Sequence, residues 1–200
     1  MTLPERPETV KDSVSGALAA RAHELAAEWL VHGRRLDMQA LAAELGISRV
    51  TLFRHAGGRE AVLGAALWLL TRRTFAAAER QWDLAPDGGL RSVGVIRMFN
   101  EAVSSAPALR RLLDQEPALT IRVLTDPRGA IQSGVVAAVE ALLRRDAEDA
   151  GLPLLAEPGA LAFALVRIGE SFLYADVLAN RVPDVDTANR LQRALIEGPS

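Results

Sequence analysis

Residues 36–63 read LDMQALAAELGISRVTLFRHAGGREAVL, and this stretch decides the fold. Asp37 is suited to cap a helix, because its carboxylate can accept the unpaired N–H groups of a first turn. Leu41, Ala42 and Leu45 recur at helical spacing and supply an inward face. Gly46 follows at once, and glycine is the residue that most readily closes a helix in the left-handed conformation. Ile47 is placed to plug the corner, and Ser48 is a second cap opening a second helix over 49–55, with Leu52 inward. Arg49, Val50, Thr51, Phe53, Arg54 and His55 are left mostly outside. Gly57-Gly58 then breaks the chain, and a longer helix starts at Arg59.

Two short helices across a glycine turn, the second exposing Arg, Thr, aromatic and His side chains, spell a helix-turn-helix reader of DNA. The reason is fit: one α-helix fills the major groove, where its outer side chains reach base edges and phosphates. A solvated helical hairpin is the plainer alternative, and the shared register of cap, turn, plug and second cap argues against it. The candidate DNA contacts are Ser48, Arg49, Val50, Thr51, Phe53, Arg54 and His55, with Gln39 on the preceding helix and Arg59 at the start of the next. Charge agrees. The whole chain carries a formal −2, yet residues 34–59 hold five arginines against Asp37 and Glu44, a local +3.

These residues resemble the TetR family of bacterial one-component regulators. The match rests on Leu41-Ala42, Leu45-Gly46-Ile47-Ser48, Thr51-Leu52-Phe53-Arg54-His55 and the basic Arg59, and runs from Val14 to about Leu70. Phe53 replaces the usual Tyr and so lacks a hydroxyl for phosphate. Ala56 replaces a large apolar residue, and Arg59 replaces Lys while keeping its charge. The resemblance implies an all-α chain with an N-terminal three-helix DNA-binding domain and a C-terminal helical domain for ligand binding and dimerisation. It further implies a homodimer on a double-stranded operator, controlled by a small-molecule effector. The domain boundaries expected from the residues are 1–58, with a flexible arm at the start, and 59–200.

Composition is permissive. Two hundred residues, half of them hydrophobic, suffice for a compact core and a small attached domain. Cysteine is absent, which excludes disulfides and thiolate chemistry. No leader-like or membrane-length apolar run occurs, so a cytoplasmic protein with no membrane partner is expected.

Residues 1–12, with Arg6 and Lys11, read as an arm. A first helix is expected over 13–32, with Val14, Leu18, Ala22, Leu25 and Trp29 on one stripe, and a long helix over 59–82 with Val62, Leu63, Ala66, Leu67, Leu70 and Phe75 inward. After the break at Pro86-Asp87-Gly88-Gly89, helices are expected over 90–105, 108–115, 118–125, 129–150, 159–181 and 185–197. In the 90–105 segment Val93, Ile96, Phe99, Ala102 and Val103 are taken inward and Asn100 elsewhere; Asp146, Glu148 and Asp149 read as a solvated helix end. The 159–181 segment is apolar nearly all round in its first half, which calls for cover on every side and, in a domain this small, for a partner subunit to complete it.

No pattern calls for catalysis, a metal or a cofactor. His23, His32 and His55 have no ligand partner at helical spacing, and neither a phosphate loop nor a nucleophile elbow is present. The effector site is therefore sought among Phe99, Arg122, Arg167, Glu170 and Tyr174, against apolar walls at Ile96, Val135, Leu165 and Phe172. An intrahelical Arg167–Glu170 pair is the plainer reading of two of these. The run VRIGESFLYADVLANR (166–181) also resembles the QsdR-type subgroup of TetR regulators, which implies an acyl or lactone-like effector. The reading is thus a ligand-released repressor, with an activator or effector-independent DNA binder, and a helical carrier or enzyme, as the alternatives.

Overall fold

The computed structural model describes residues 10–85 and 88–198, and every element among them is helical. The expected arm lies almost wholly outside the described residues, as do Pro86 and Asp87. The chain divides into two compact units between Leu69 and Leu70.

The first unit holds α1 (Val10–Val31), α2 (Met38–Glu44), α3 (Arg49–Ala56) and the first turns of α4 (Arg59–Leu84). Its core is built from small residues on α1 (Ala22, Ala26, Ala27) with Trp29, Leu30, Leu36, Leu41, Leu52, Val62, Leu63, Ala66 and Leu67. Alanines on α1 let the short helices pack closely, so most of the larger apolar side chains in this core come from the other three. The end of α1 is closed by Gly33 and Arg34, whose N–H groups bond to the Leu30 and Trp29 carbonyls. The Arg34 guanidinium then lies 3.7 Å from the Trp29 ring centroid and 3.1 Å from Glu44, at the far end of α2.

The second unit contains the remainder of α4, then α5 (Arg91–Ser104), α6 (Pro107–Gln115), α7 (Pro117–Thr125), α8 (Ala130–Ala150), α9 (Pro158–Leu173), α10 (Ala175–Ala179) and α11 (Val185–Glu197). Prolines at the first positions of α6, α7 and α9 start helices where a missing N–H costs nothing. The core runs from Phe75, Ala78 and Trp82 through Val95 and Ile96 to Leu142, Leu143, Leu161, Leu165 and Ile196. α9 lies between α8 and α11, with α5 against all three.

Three expectations are corrected here. The helix expected over 159–181 is two helices, because Tyr174 leaves helical geometry at φ −112°, ψ 24°. Ser171 Oγ bonds back to the Arg167 carbonyl at 2.8 Å, a contact that bends helices, and just past the break Asp176 pairs with Arg110 of α6. On the first half of α9, this chain alone leaves Phe163 53% exposed. Asp146 is no solvated end: it is 5% exposed, and its Oδ2 accepts the Ser92 N–H at 2.8 Å. Asn100 is buried and Ala102 exposed, the reverse of their expected placement.

Candidate nucleic-acid interface

The reader is built by local hydrogen bonds. Asp37 Oδ1 accepts the N–H groups of Gln39 and Ala40 at 2.9 and 2.8 Å, which hold its carboxyl below the usual carboxylate range. At the other end of α2, Gly46 sits at φ 71°, its N–H bonding to the Ala43 carbonyl while the Ile47 N–H bonds to that of Ala42. This paired closure needs a left-handed residue, and only glycine adopts it without a steric penalty. Ser48 Oγ then accepts the Thr51 N–H at 3.0 Å and starts α3.

α3 turns Leu52 and Ala56 inward. Gln39, Ser48, Arg49, Val50, Phe53 and Arg54 are exposed, while Thr51, His55 and Arg59 are half-buried. Several of these polar groups are already engaged. The Thr51 hydroxyl is 2.8 Å from Ser48 Oγ, an Arg54 nitrogen is 3.4 Å from His55 Nε2, and Arg59 Nε donates to the Leu36 carbonyl at 3.0 Å. The last bond ties the start of α4 to the entry of α2. His23 of α1 bonds to the Ala56 backbone, and burial pushes its imidazole below the ordinary value.

The candidate effector residues are more scattered. Phe99 is half-buried against Phe75, with ring centroids 5.3 Å apart, and Arg122 is exposed on α7. Arg167 and Glu170 form an ion pair of 2.5 Å, the arginine largely exposed and the glutamate mostly buried. Burial pushes the Glu170 carboxyl up against the opposing charge of Arg167, and pushes the buried Tyr174 phenol up strongly. Of the expected walls, Ile96 and Leu165 are core residues with Val135 packed against them.

Sequence reasoning missed a buried amide network beside them. Asn100 Nδ2 donates to Asn189 Oδ1 at 2.8 Å and Gln192 Oε1 at 2.7 Å, and Gln192 Nε2 donates to the Leu165 carbonyl at 2.9 Å. Asn189 and Gln192 also line a cleft of about 270 Å³ between α5 and α11, floored by Val93, Ile96 and Ile196. The signal was available: Asn100 lies four residues after Ile96, and Gln192 four after Ala188, on each helix's buried stripe. Among the described residues no group of three His, Asp or Glu side chains is placed to hold a metal ion, and no helix is long and apolar enough to cross a membrane.

Residues 87–197, more than half of the chain, match the family profile described as tetracyclin repressor-like, C-terminal domain. The chain belongs to the TetR family of transcriptional regulators. A solved TetR structure, the transcriptional repressor QsdR from R. erythropolis, is 31% identical over 90% of this chain and 94% of its own, with a TM-score of 0.81. A second TetR regulator, PfmR from Thermus thermophilus, is 19% identical over 96% of this chain and 98% of its own, but its TM-score of 0.39 carries no argument. Comparison with curated proteins finds no matching sequence. TetR membership, and within it the likeness to QsdR, agrees with the family read from the helix-turn-helix motif and with the all-α fold expected from it. It places the chain among DNA-binding regulators rather than enzymes.

Proposed function

We propose that this TetR regulator is a repressor that binds a palindromic operator as a homodimer and leaves it when a small apolar molecule, acyl or lactone-like, occupies the C-terminal domain. In this reading residues 1–58 read DNA and 59–200 sense the effector and dimerise. The observation that carries it is α3 itself. This capped helix follows a glycine turn, exposes Arg49, Val50, Phe53 and Arg54 on one side and anchors Leu52 on the other. Support for repression comes from the relative described as a repressor, and for an aliphatic ligand from the apolar floor of the α5–α11 cleft at Val93, Ile96 and Ile196.

The mechanism requires differential affinity: the effector must bind the DNA-incompetent state more tightly, with a coupling of about 1–3 kcal/mol. α4 contributes residues to both units and is the proposed carrier of that coupling. The test is selection of bound duplexes from a random pool, followed by binding assays on the winner. Arg49→Ala is expected to cost about 1–3 kcal/mol and relax preference at one position per half-site. Arg59→Ala is expected to weaken all sequences alike and lower the salt slope by about one. Lactones and their acids of increasing chain length should release the duplex with rising potency, at most ~0.8 kcal/mol per methylene buried. Selection of no duplex defeats the reading, and release by none of the series defeats the effector class.

A further inference from the structure

Val50 and Phe53 are unusual surface residues. They are 77% and 64% exposed and lie three residues apart on the outward side of α3, whose Leu52 and Ala56 are buried. The Phe53 ring rests near the α3–α4 turn, where a Cβ built on Gly58 would lie 3.6 Å from its Cε2, in ordinary van der Waals contact. The neighbouring polar groups are occupied: Ser48 Oγ caps the helix through the Thr51 N–H, and the Thr51 hydroxyl is held 2.8 Å from it. The outward side of α3 therefore offers two apolar side chains flanked by the guanidinium groups of Arg49 and Arg54.

Within the major groove one base group matches an apolar side chain, the C5-methyl of thymine. Phosphates match the flanking arginines, and the local +3 of residues 34–59 favours a polyanion over an apolar protein partner for this surface. From this we infer that Val50 and Phe53 are specificity-determining residues that read thymine methyl groups, one each, in every half-site. The inference rests on the proposed operator binding and adds the base chemistry it uses.

The experiment takes the full-length protein and a duplex it selects from a random pool, resynthesised with deoxyuridine replacing one thymidine at a time, symmetrically in both half-sites. At two positions per half-site affinity should fall about fourfold per methyl removed, the equivalent of ~0.8 kcal/mol for one buried carbon. Replacing thymidine there by deoxycytidine should cost more, and 5-methyldeoxycytidine should regain part of the loss. Val50→Ala should abolish the difference between thymidine and deoxyuridine at one position, and Phe53→Ala at the other. Both side chains are exposed, so these variants keep the fold. A selected duplex whose affinity no deoxyuridine substitution changes overturns this inference while leaving operator binding intact. So does methyl sensitivity that survives in both variants. Failure to select any duplex overturns operator binding and this inference with it.

Discussion

Asp146 shows what one carboxylate does when its helix turns it inward. It sits near the end of α8, yet caps the first turn of α5 through the Ser92 N–H, fifty-four residues away in the chain. Removing it leaves a buried donor without a partner, next to a Ser92 hydroxyl that already has none. A hydrogen bond to a charged group contributes about 1.5–3 kcal/mol. Asp146→Ala is expected to lower stability by that amount and Asp146→Asn by less, because an amide oxygen still accepts. Urea unfolding checks this: the midpoint should fall with the slope unchanged. An unaltered midpoint for the alanine variant means that the cap carries no stability.

Between elements, Trp82 of α4 sits close against Gly94 of α5. A Cβ built on Gly94 would overlap Cζ3 and Cε3 of Trp82, so the indole occupies the space a side chain at 94 would need. Trp82 is buried in the same cluster as Phe75 and Val95, and a close-packed interior leaves the ring little space to retreat. Gly94→Ala should therefore cost about 1–3 kcal/mol through overpacking. Trp82→Leu should be destabilising alone yet make Gly94→Ala nearly neutral, a coupling that thermal unfolding of the double-mutant cycle measures. Additive losses would place the strain elsewhere.

For the whole molecule the proposed dimer is the property to test. Two readers must meet successive major grooves about 34 Å apart or a multiple of it, so a monomer loses the operator even with an intact reader. The proposed seam lies in 159–181 and 185–197, where α9 exposes Phe163 and α11 exposes Leu191, 44% accessible. Leu195 packs against the core, so a charge there would disturb the protomer itself. Phe163→Glu and Leu191→Glu are the informative changes: sedimentation should show monomers with unchanged helicity, and operator binding should vanish. Dimers that persist in both variants move the seam to another face.

What the sequence determined by itself is everything whose cause lies within a few residues. Caps at Asp37 and Ser48, the left-handed Gly46, prolines starting α6 and α7, and the bounds of α11 are local hydrogen-bond and torsional facts, and each is where the residues placed it. The outward side of α3 was legible in the same way, because one buried Leu52 orients the whole short helix. Tertiary structure alone decided where polar residues on apolar stripes go. Asn100, Gln192 and Asp146 all fall at core spacing, but a buried amide or carboxylate is tolerable only beside a partner. Those partners lie 92 residues away for Asn100 and Gln192, and 54 for Asp146. Beside the break at Tyr174, Asp176 is likewise held by Arg110 from 66 residues upstream. Arg59's bond to Leu36 also spans 23 residues. Helical periodicity reports which side a position faces, while only the folded chain supplies the donor or acceptor that lets a polar side chain stay there.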